Sequence, residues 1–174
     1  MRYIIGTLIA ICMTSSALAQ QLNYADRQAH LINNSPFIEL FEFSFANEYR
    51  NRDYRLVTHL SWRNVGDSPI TAFEVVIAYF DPFNRPVMSG GRWLIPGNNS
   101  GNWAPLEPGA ESADGLIGHR AQDVFTAFVY VRAIRLENGT VWTFDEDEIR
   151  ATIQQRLPEV RSFENVSPAL NPDE

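Results

Sequence analysis

Apolar and polar side chains alternate from residue 55 to residue 65, with the period of two that is typical of a strand covered on one face. The covered side is predicted to carry Leu56, Thr58, Leu60 and Trp62. The side left to solvent carries Arg55, Val57, His59, Ser61 and Arg63.

A second strand is predicted at 70–80, where the inward positions are Phe73, Val75, Ile77 and Tyr79 and the outward ones Ala72, Glu74 and Ala78. At 37–45 the phenylalanines fall on one face with Glu39, and Ile38 and Leu40 fall on the other. We expect the Glu39 side to be the more covered one. Shorter or weaker strands are predicted at 92–95 and 113–118. The longest strand is predicted at 124–136, with 140–144 as its hairpin partner.

Turn residues separate these segments. Glu137-Asn138-Gly139-Thr140 is the strongest hairpin signal, because Asn and Gly readily take positive φ at both turn centres. Asp145 can cap a helix at 146–157 whose first turn is acidic and whose apolar stripe is Ile149, Ile153 and Leu157. About seven short strands with one short helix predict an all-β, two-sheet antiparallel sandwich.

The two ends of the chain differ from this pattern. Arg2, an apolar run and Ala17-Leu18-Ala19 predict a cleaved signal peptide at 1–19, and hence an exported protein in the periplasm or outside the cell. No later segment is apolar for long enough to span a membrane. Residues 20–36 are interpreted as a loose leader or a single short helix, the sandwich domain as 37–145, and 158–174 as a disordered tail.

Several segments resemble the small immunoglobulin-like domains of exported bacterial proteins, in particular the FxLYD kind. They are Trp62-Arg63-Asn64-Val65-Gly66-Asp67-Ser68-Pro69-Ile70, Phe73-Glu74-Val75-Val76-Ile77, Tyr79-Phe80-Asp81 and Leu106-Glu107-Pro108-Gly109. The chain departs from that pattern where Asp81-Pro82-Phe83-Asn84 replaces a shorter turn, and by its terminal helix. The resemblance implies an immunoglobulin-like fold and an accessory role, and it supplies no active-site residue.

Composition excludes several classes of chemistry. The only cysteine, Cys12, lies in the signal segment, so the mature chain has neither a disulfide nor a thiolate ligand. All 14 basic residues are arginine, which excludes Schiff-base chemistry. A net charge of −7 without a long basic cluster argues against nucleic acid as a partner.

No catalytic, metal or cofactor site is predicted. His30, His59 and His119 lack an accompanying Gly-x-Ser-x-Gly motif, so a hydrolase is only a weakly supported alternative. The acids at 145–148 are explained by the helix start rather than by calcium. Glu107, Glu111 and Asp114 could pair for glycoside hydrolysis, but sequence does not reveal their separation.

One loop carries residues suited to a glycan, so a carbohydrate-binding module is the second alternative. Arg92, Trp93, Asn102 and Trp103 combine flat apolar rings with polar donors on a glycine-rich segment. The competing interpretation has Trp93 and Trp103 folding back over the ends of the sandwich, and Trp62 and Trp142 belonging to the core.

The leading hypothesis is a non-catalytic binding module that contacts another envelope or extracellular protein. Phe128 and Tyr130 lie beside Arg132 on a strand face expected to be wet, and aromatic residues with arginine are enriched at interfaces. The alternative is that the terminal helix covers this face.

Overall fold

The computed structural model describes residues 26–50, 52–87, 91–96, 104–120 and 123–160. It is an all-β sandwich with one short helix, as predicted. Eight strands and the helix follow in the order β1 (Gln28–Ile32), β2 (Ile38–Arg50), β3 (Asp53–Asn64), β4 (Ile70–Phe80), β5 (Gly91–Pro96), β6 (Glu111–Arg120), β7 (Thr126–Leu136), β8 (Val141–Thr143) and α1 (Glu146–Arg156). The predicted signal peptide and the tail beyond residue 160 lie outside the described residues.

Two sheets form the sandwich. The large sheet has the order β1-β7-β4-β5, with β8 also paired to β7, and the small sheet has the order β2-β3-β6. Neighbouring strands are antiparallel except for β1, which runs parallel to β7 from Gln28 opposite Thr126 to Ile32 opposite Tyr130. None of the helices in the described residues is long and apolar enough to cross a membrane.

The core between the sheets follows the predicted alternation. Phe73, Val75, Ile77 and Tyr79 of β4 are buried against Leu56, Leu60 and Trp62 of β3. The Trp62 and Phe73 rings meet edge to face with centroids 5.2 Å apart. The Tyr79 hydroxyl lies 2.9 Å from Thr58 Oγ1 in the interior. Burial raises the pKa of Tyr79 to about 12, although the hydrogen bond with Thr58 acts in the opposite direction.

A β-bulge in β2 makes the predicted covered face wrong before residue 41, where Ile38 and Leu40 and not Glu39 are buried, and leaves it correct at Phe43 and Phe45. The register shifts between Leu40 and Glu42, so Phe41 is the extra residue and is 42% exposed. Ile38 and Leu40 before the bulge, and Phe45 after it, therefore all face the core. Strict alternation placed Phe41 and Phe45 on the same side, and this prediction was wrong because sequence periodicity cannot register an inserted residue.

The predicted leader contains a strand instead of a helix. Residues 28–32 pair with the edge of β7, where backbone groups would otherwise lack partners. A single short helix, one of the two interpretations of 20–36, was therefore wrong at residues 28–32, because pairing with a sheet edge outweighs the weak helical tendency of so short a segment.

Asn33 and Asn34, which follow β1, form side-chain hydrogen bonds to different sheets. The Asn33 side chain exchanges hydrogen bonds with both backbone groups of Leu40, at 2.8 and 2.9 Å. The Asn34 side chain does the same with Val131, at 2.7 and 3.2 Å. Val131 lies between the stretches of β7 that pair with β1 and with β8. The Asn34 amide therefore replaces a missing strand partner there.

Asn64 ties the end of β3 to two turns. Its Nδ2 donates to the carbonyl oxygens of Ser68 and Leu106, at 3.0 and 2.8 Å, and its Oδ1 accepts from the Gly66 N–H. The side chain is fully buried with these bonds made. The Asn64 carbonyl accepts from the N–H of Gly109, which has φ +77°. Segments distant in sequence, 62–70 and 106–109, thus meet at one residue.

Helix α1 begins and packs as predicted. The Asp145 carboxylate accepts from the Asp147 N–H at 2.9 Å and caps the helix. Ile149, Ile153 and Leu157 bury the apolar stripe against the large sheet, on the face opposite the small sheet. The hairpin at 137–140 also forms, but Gly139 takes positive φ while Asn138 does not.

Candidate functional site

The outer face of the small sheet is the candidate functional site. Strand pairing places Ser44, His59 and Gly115 side by side across β2, β3 and β6. The next outward row consists of Glu42, Ser61 and Ala113. We call these six residues the polar face. Their position follows from the alternation of β3, whose inward residues fill the core.

The polar side chains of this face are held in pairs. The Ser61 hydroxyl donates to Glu42 Oε2 at 3.0 Å. His59 Nε2 lies 3.6 Å from Glu48 Oε1, and the His59 side chain is 55% exposed. Ser61 itself is buried. Glu42, Ser44 and His59 are exposed, so their carboxylate, hydroxyl and imidazole groups are available to a ligand.

Gly115 makes this face concave. A Cβ at position 115 would lie 3.5 Å from His59 Nδ1 and 3.6 Å from Cε1, in ordinary van der Waals contact. Because glycine has no such atom, the edge of the imidazole stays uncovered. The residues around it line a shallow groove of about 570 Å³. A side chain at 115 would therefore begin without a steric clash at its Cβ and would extend over the groove.

A charged cluster borders the polar face. Arg63 contacts both neighbours in its row, with Nε 2.8 Å from Glu111 Oε1 and Nη1 3.6 Å from Glu39 Oε2. Its guanidinium also lies 5.7 Å from the ring centroid of Phe41, the bulged residue. Arg63 therefore joins the three strands at one end of the face.

The chemistry available here is polar recognition. A serine nucleophile would need a histidine to accept its proton. Instead, the Ser61 hydroxyl donates to the Glu42 carboxylate, and the imidazole of His59 faces the Glu48 carboxylate. No group of three or more metal-ligating side chains occurs in the described part of the chain.

The interface predicted at Phe128, Tyr130 and Arg132 is corrected by the structure. Phe128 and Tyr130 are fully buried beneath Ile149 and Ile153 of α1. Arg132 is partly buried, with Nη1 3.5 Å from Glu74 Oε1. The alternative stated above, that the helix covers this face, is the arrangement found. A face whose aromatic rings are already packed cannot dock a partner without displacing the helix.

The side chains of the predicted glycan loop lie outside the described residues. Arg92 and Trp93 belong to the backbone of β5, but their side chains, like all of Asn102 and Trp103, lie outside the described residues. Trp62 is in the core as predicted, and Trp142 packs partly buried against it.

The remaining histidines and acidic residues considered in the sequence analysis have different neighbours in the fold. His30 stacks on Phe128 with centroids 4.7 Å apart, and burial, followed by the charge of Arg156, lowers its pKa. Glu111 binds Arg63, and the Asp114 carboxylate accepts from the Gly115 N–H at 2.7 Å. The His119 side chain lies outside the described residues.

The alternation of 55–65 placed His59 and Ser61 on the solvent side of one strand. The sequence did not bring these two residues together with Glu42, Ser44, Ala113 and Gly115. Glu42, Ser44 and Gly115 come from strands whose register with β3 is set by the fold. The alternation of 55–65 was the available signal for Ser61.

Comparisons with known proteins add little to this description. No protein-family model matches the sequence, and no curated protein matches it. A hypothetical protein from Peptoclostridium difficile 630 is 11% identical with a TM-score of 0.48, over 70% of this chain and 92% of that one. The Northeast Structural Genomics Consortium target SoR45 is 12% identical with a TM-score of 0.36, over 60% of this chain and 76% of that one. Similarities at this level carry no information about function.

Proposed function

We propose that the chain is a non-catalytic, exported binding module that contacts another envelope or extracellular protein through the polar face. The observation that carries this proposal is the difference in cover between the sheets. The large sheet packs against the small sheet on one side and against α1 on the other. Among the described residues, the small sheet has no layer on its outer side, and that side bears the groove.

The composition of the polar face favours a protein partner. Hydroxyl, carboxylate and imidazole groups can form hydrogen bonds with a backbone or with polar side chains, and non-obligate interfaces are about as polar as the rest of a protein surface. The separate pairing of Ser61 and His59 with different carboxylates supports binding over hydrolysis. Export is proposed from residues 1–19 of the sequence.

An immunoglobulin-like topology is part of this proposal. In the small sheet, β2, β3 and β6 would correspond to immunoglobulin strands A, B and E. In the large sheet, β8, β7 and β4 would correspond to strands G, F and C, and β5 would be an added strand. The meeting of segments 62–70 and 106–109 at Asn64 supports the resemblance seen in the sequence. Such sandwiches commonly serve as recognition modules, although a fold alone does not specify a function.

The test fills the groove without disturbing the core. Gly115→Tyr places a large side chain beside His59, and Ala151→Tyr adds the same group to the exposed side of α1 as a matched control. We expect a protein captured by the wild-type chain from envelope extract to be lost with Gly115→Tyr and retained with Ala151→Tyr. Retention of every captured protein by Gly115→Tyr, in a folded variant, would refute the role of the polar face.

A further inference from the structure

Two turns at different places in the large sheet have the same backbone hydrogen bonds. In the turn at 136–140, the Gly139 N–H donates to the Leu136 carbonyl and the Leu136 N–H donates to the Thr140 carbonyl. In the turn at 81–85, the Asn84 N–H donates to the Asp81 carbonyl and the Asp81 N–H donates to the Arg85 carbonyl. The fourth residue has positive φ in each, +85° at Gly139 and +58° at Asn84.

The turn at 81–85 is held much more firmly. The Asp81 carboxylate accepts from the N–H of Phe83 at 2.8 Å, from the N–H of Arg85 at 3.0 Å and from Arg85 Nε at 2.6 Å. Burial opposes ionisation of Asp81, but these hydrogen bonds and the Arg85 charge outweigh it and lower its pKa. Asn84 Nδ2 also donates to Glu159 Oε2 at 3.3 Å, beyond α1.

The two turns differ most at their third residue. Asn138 is polar, and its Oδ1 accepts from the Thr140 N–H, as is usual in turns. The equivalent residue is Phe83, which is 75% exposed. The Arg85 guanidinium lies 5.1 Å from the centroid of this ring. The exposed phenyl group thus stands on a backbone fixed by an ionised carboxylate.

We propose that the turn at 81–85 is a preorganised anchor that inserts Phe83, flanked by Arg85, into an apolar socket of a protein partner. Phenylalanine and arginine are both enriched at protein interfaces, and a rigid turn reduces the ordering entropy lost on binding. The Asp81 bonds fix the backbone of the turn, and they thereby hold the exposed phenyl ring in one position before a partner binds.

The charges around the turn favour a protein over a membrane surface. Arg85 is already neutralised by Asp81, and Glu159 lies at the same turn. The chain as a whole carries −7, which repels anionic lipid headgroups. A second copy of this acidic chain is disfavoured for the same reason.

The experiment uses a photoreactive phenylalanine analogue at position 83 of the full chain, expressed in its native cells. The matched control carries the analogue at Val141, which is 55% exposed near the other turn. We expect a discrete protein adduct at 83 that is absent at 141 and about tenfold weaker when Asp81→Ala releases the turn. A lipid adduct, an adduct with the chain itself, equal labelling at both sites or no adduct at 83 would overturn the proposal.

A second measurement separates recognition from folding. Phe83→Ser is expected to leave the thermal midpoint within about 2 °C of the wild type, because the ring is solvent-exposed. A larger loss would assign the ring to stability instead. The anchor rests on the proposed binding role but not on the polar face. An adduct at 83 that persists in Gly115→Tyr would therefore leave the anchor intact while refuting that face.

Discussion

The outer faces of the two sheets are opposites. Val76, Ala78 and Phe80 of β4, with Phe128 and Tyr130 of β7, point away from the small sheet and are fully buried by α1. His59 and Ser61 of β3 point away from the large sheet and line an open groove. The central strands β4 and β7 are therefore buried on both sides. On the outward side of β3, His59 is more than half exposed, although Val57 and Ser61 are buried.

The sequence shows this difference as two patterns of apolar and polar residues. Residues 75–80 and 127–131 are apolar at almost every position, which is typical of strands buried on both faces. Residues 56–63 alternate, as expected for a strand with one solvated face. A surface for partners is therefore better sought on the alternating strand, even where the continuous strand carries aromatic residues.

The largest expected effect comes from the covered side. Ile153→Ala removes a fully buried side chain between α1 and the large sheet, and we expect a loss of about 2–5 kcal/mol in the free energy of unfolding. Urea denaturation measures it, with the exposed Gln154→Ala as control. Equal stability of both variants would show that the helix does not form a real third layer.

A pH experiment probes the layer between the sheets. The folded state raises the Tyr79 pKa from 10.0 to about 12, so it favours the neutral phenol. The corresponding stability, about 2–3 kcal/mol, is fully present below pH 10 and is lost as the pH rises through about 12. Urea unfolding between pH 9 and about 12 should show this loss. Tyr79→Phe should reduce this pH-dependent loss of stability. Tyr49→Phe, at a 63% exposed position, should leave the loss unchanged.

The smallest effect is expected on the open side. His59→Ala should change the free energy of unfolding by no more than about 0.5 kcal/mol, because the imidazole is more than half exposed. The same urea titration measures it. A loss above about 1 kcal/mol would mean that His59 supports the fold, and the contrast between the two faces would fail.

The sequence predicted the sandwich, the inward residues of β4, the helix and its Asp145 cap, because each depends on local pattern or local hydrogen bonding. It did not predict the bulge at Phe41 or the pairing of β1, since both depend on contacts with a distant strand. The polar face was only partly predictable for the same reason. His59 was identifiable from the alternation of its strand. The role of Gly115 depends on its position opposite His59, which only the strand pairing reveals.

The parallel pairing of β1 with β7 bears on the order of folding. Gln28 pairs with Thr126 and Ile32 with Tyr130, so the first strand has no partner in the sheet until residues 126–130 of the 174 have been synthesised. The hydrogen bond from the Asn34 amide to the Val131 carbonyl likewise requires that residue 131 has been synthesised. We therefore expect completion of this sheet edge to be a late step in folding.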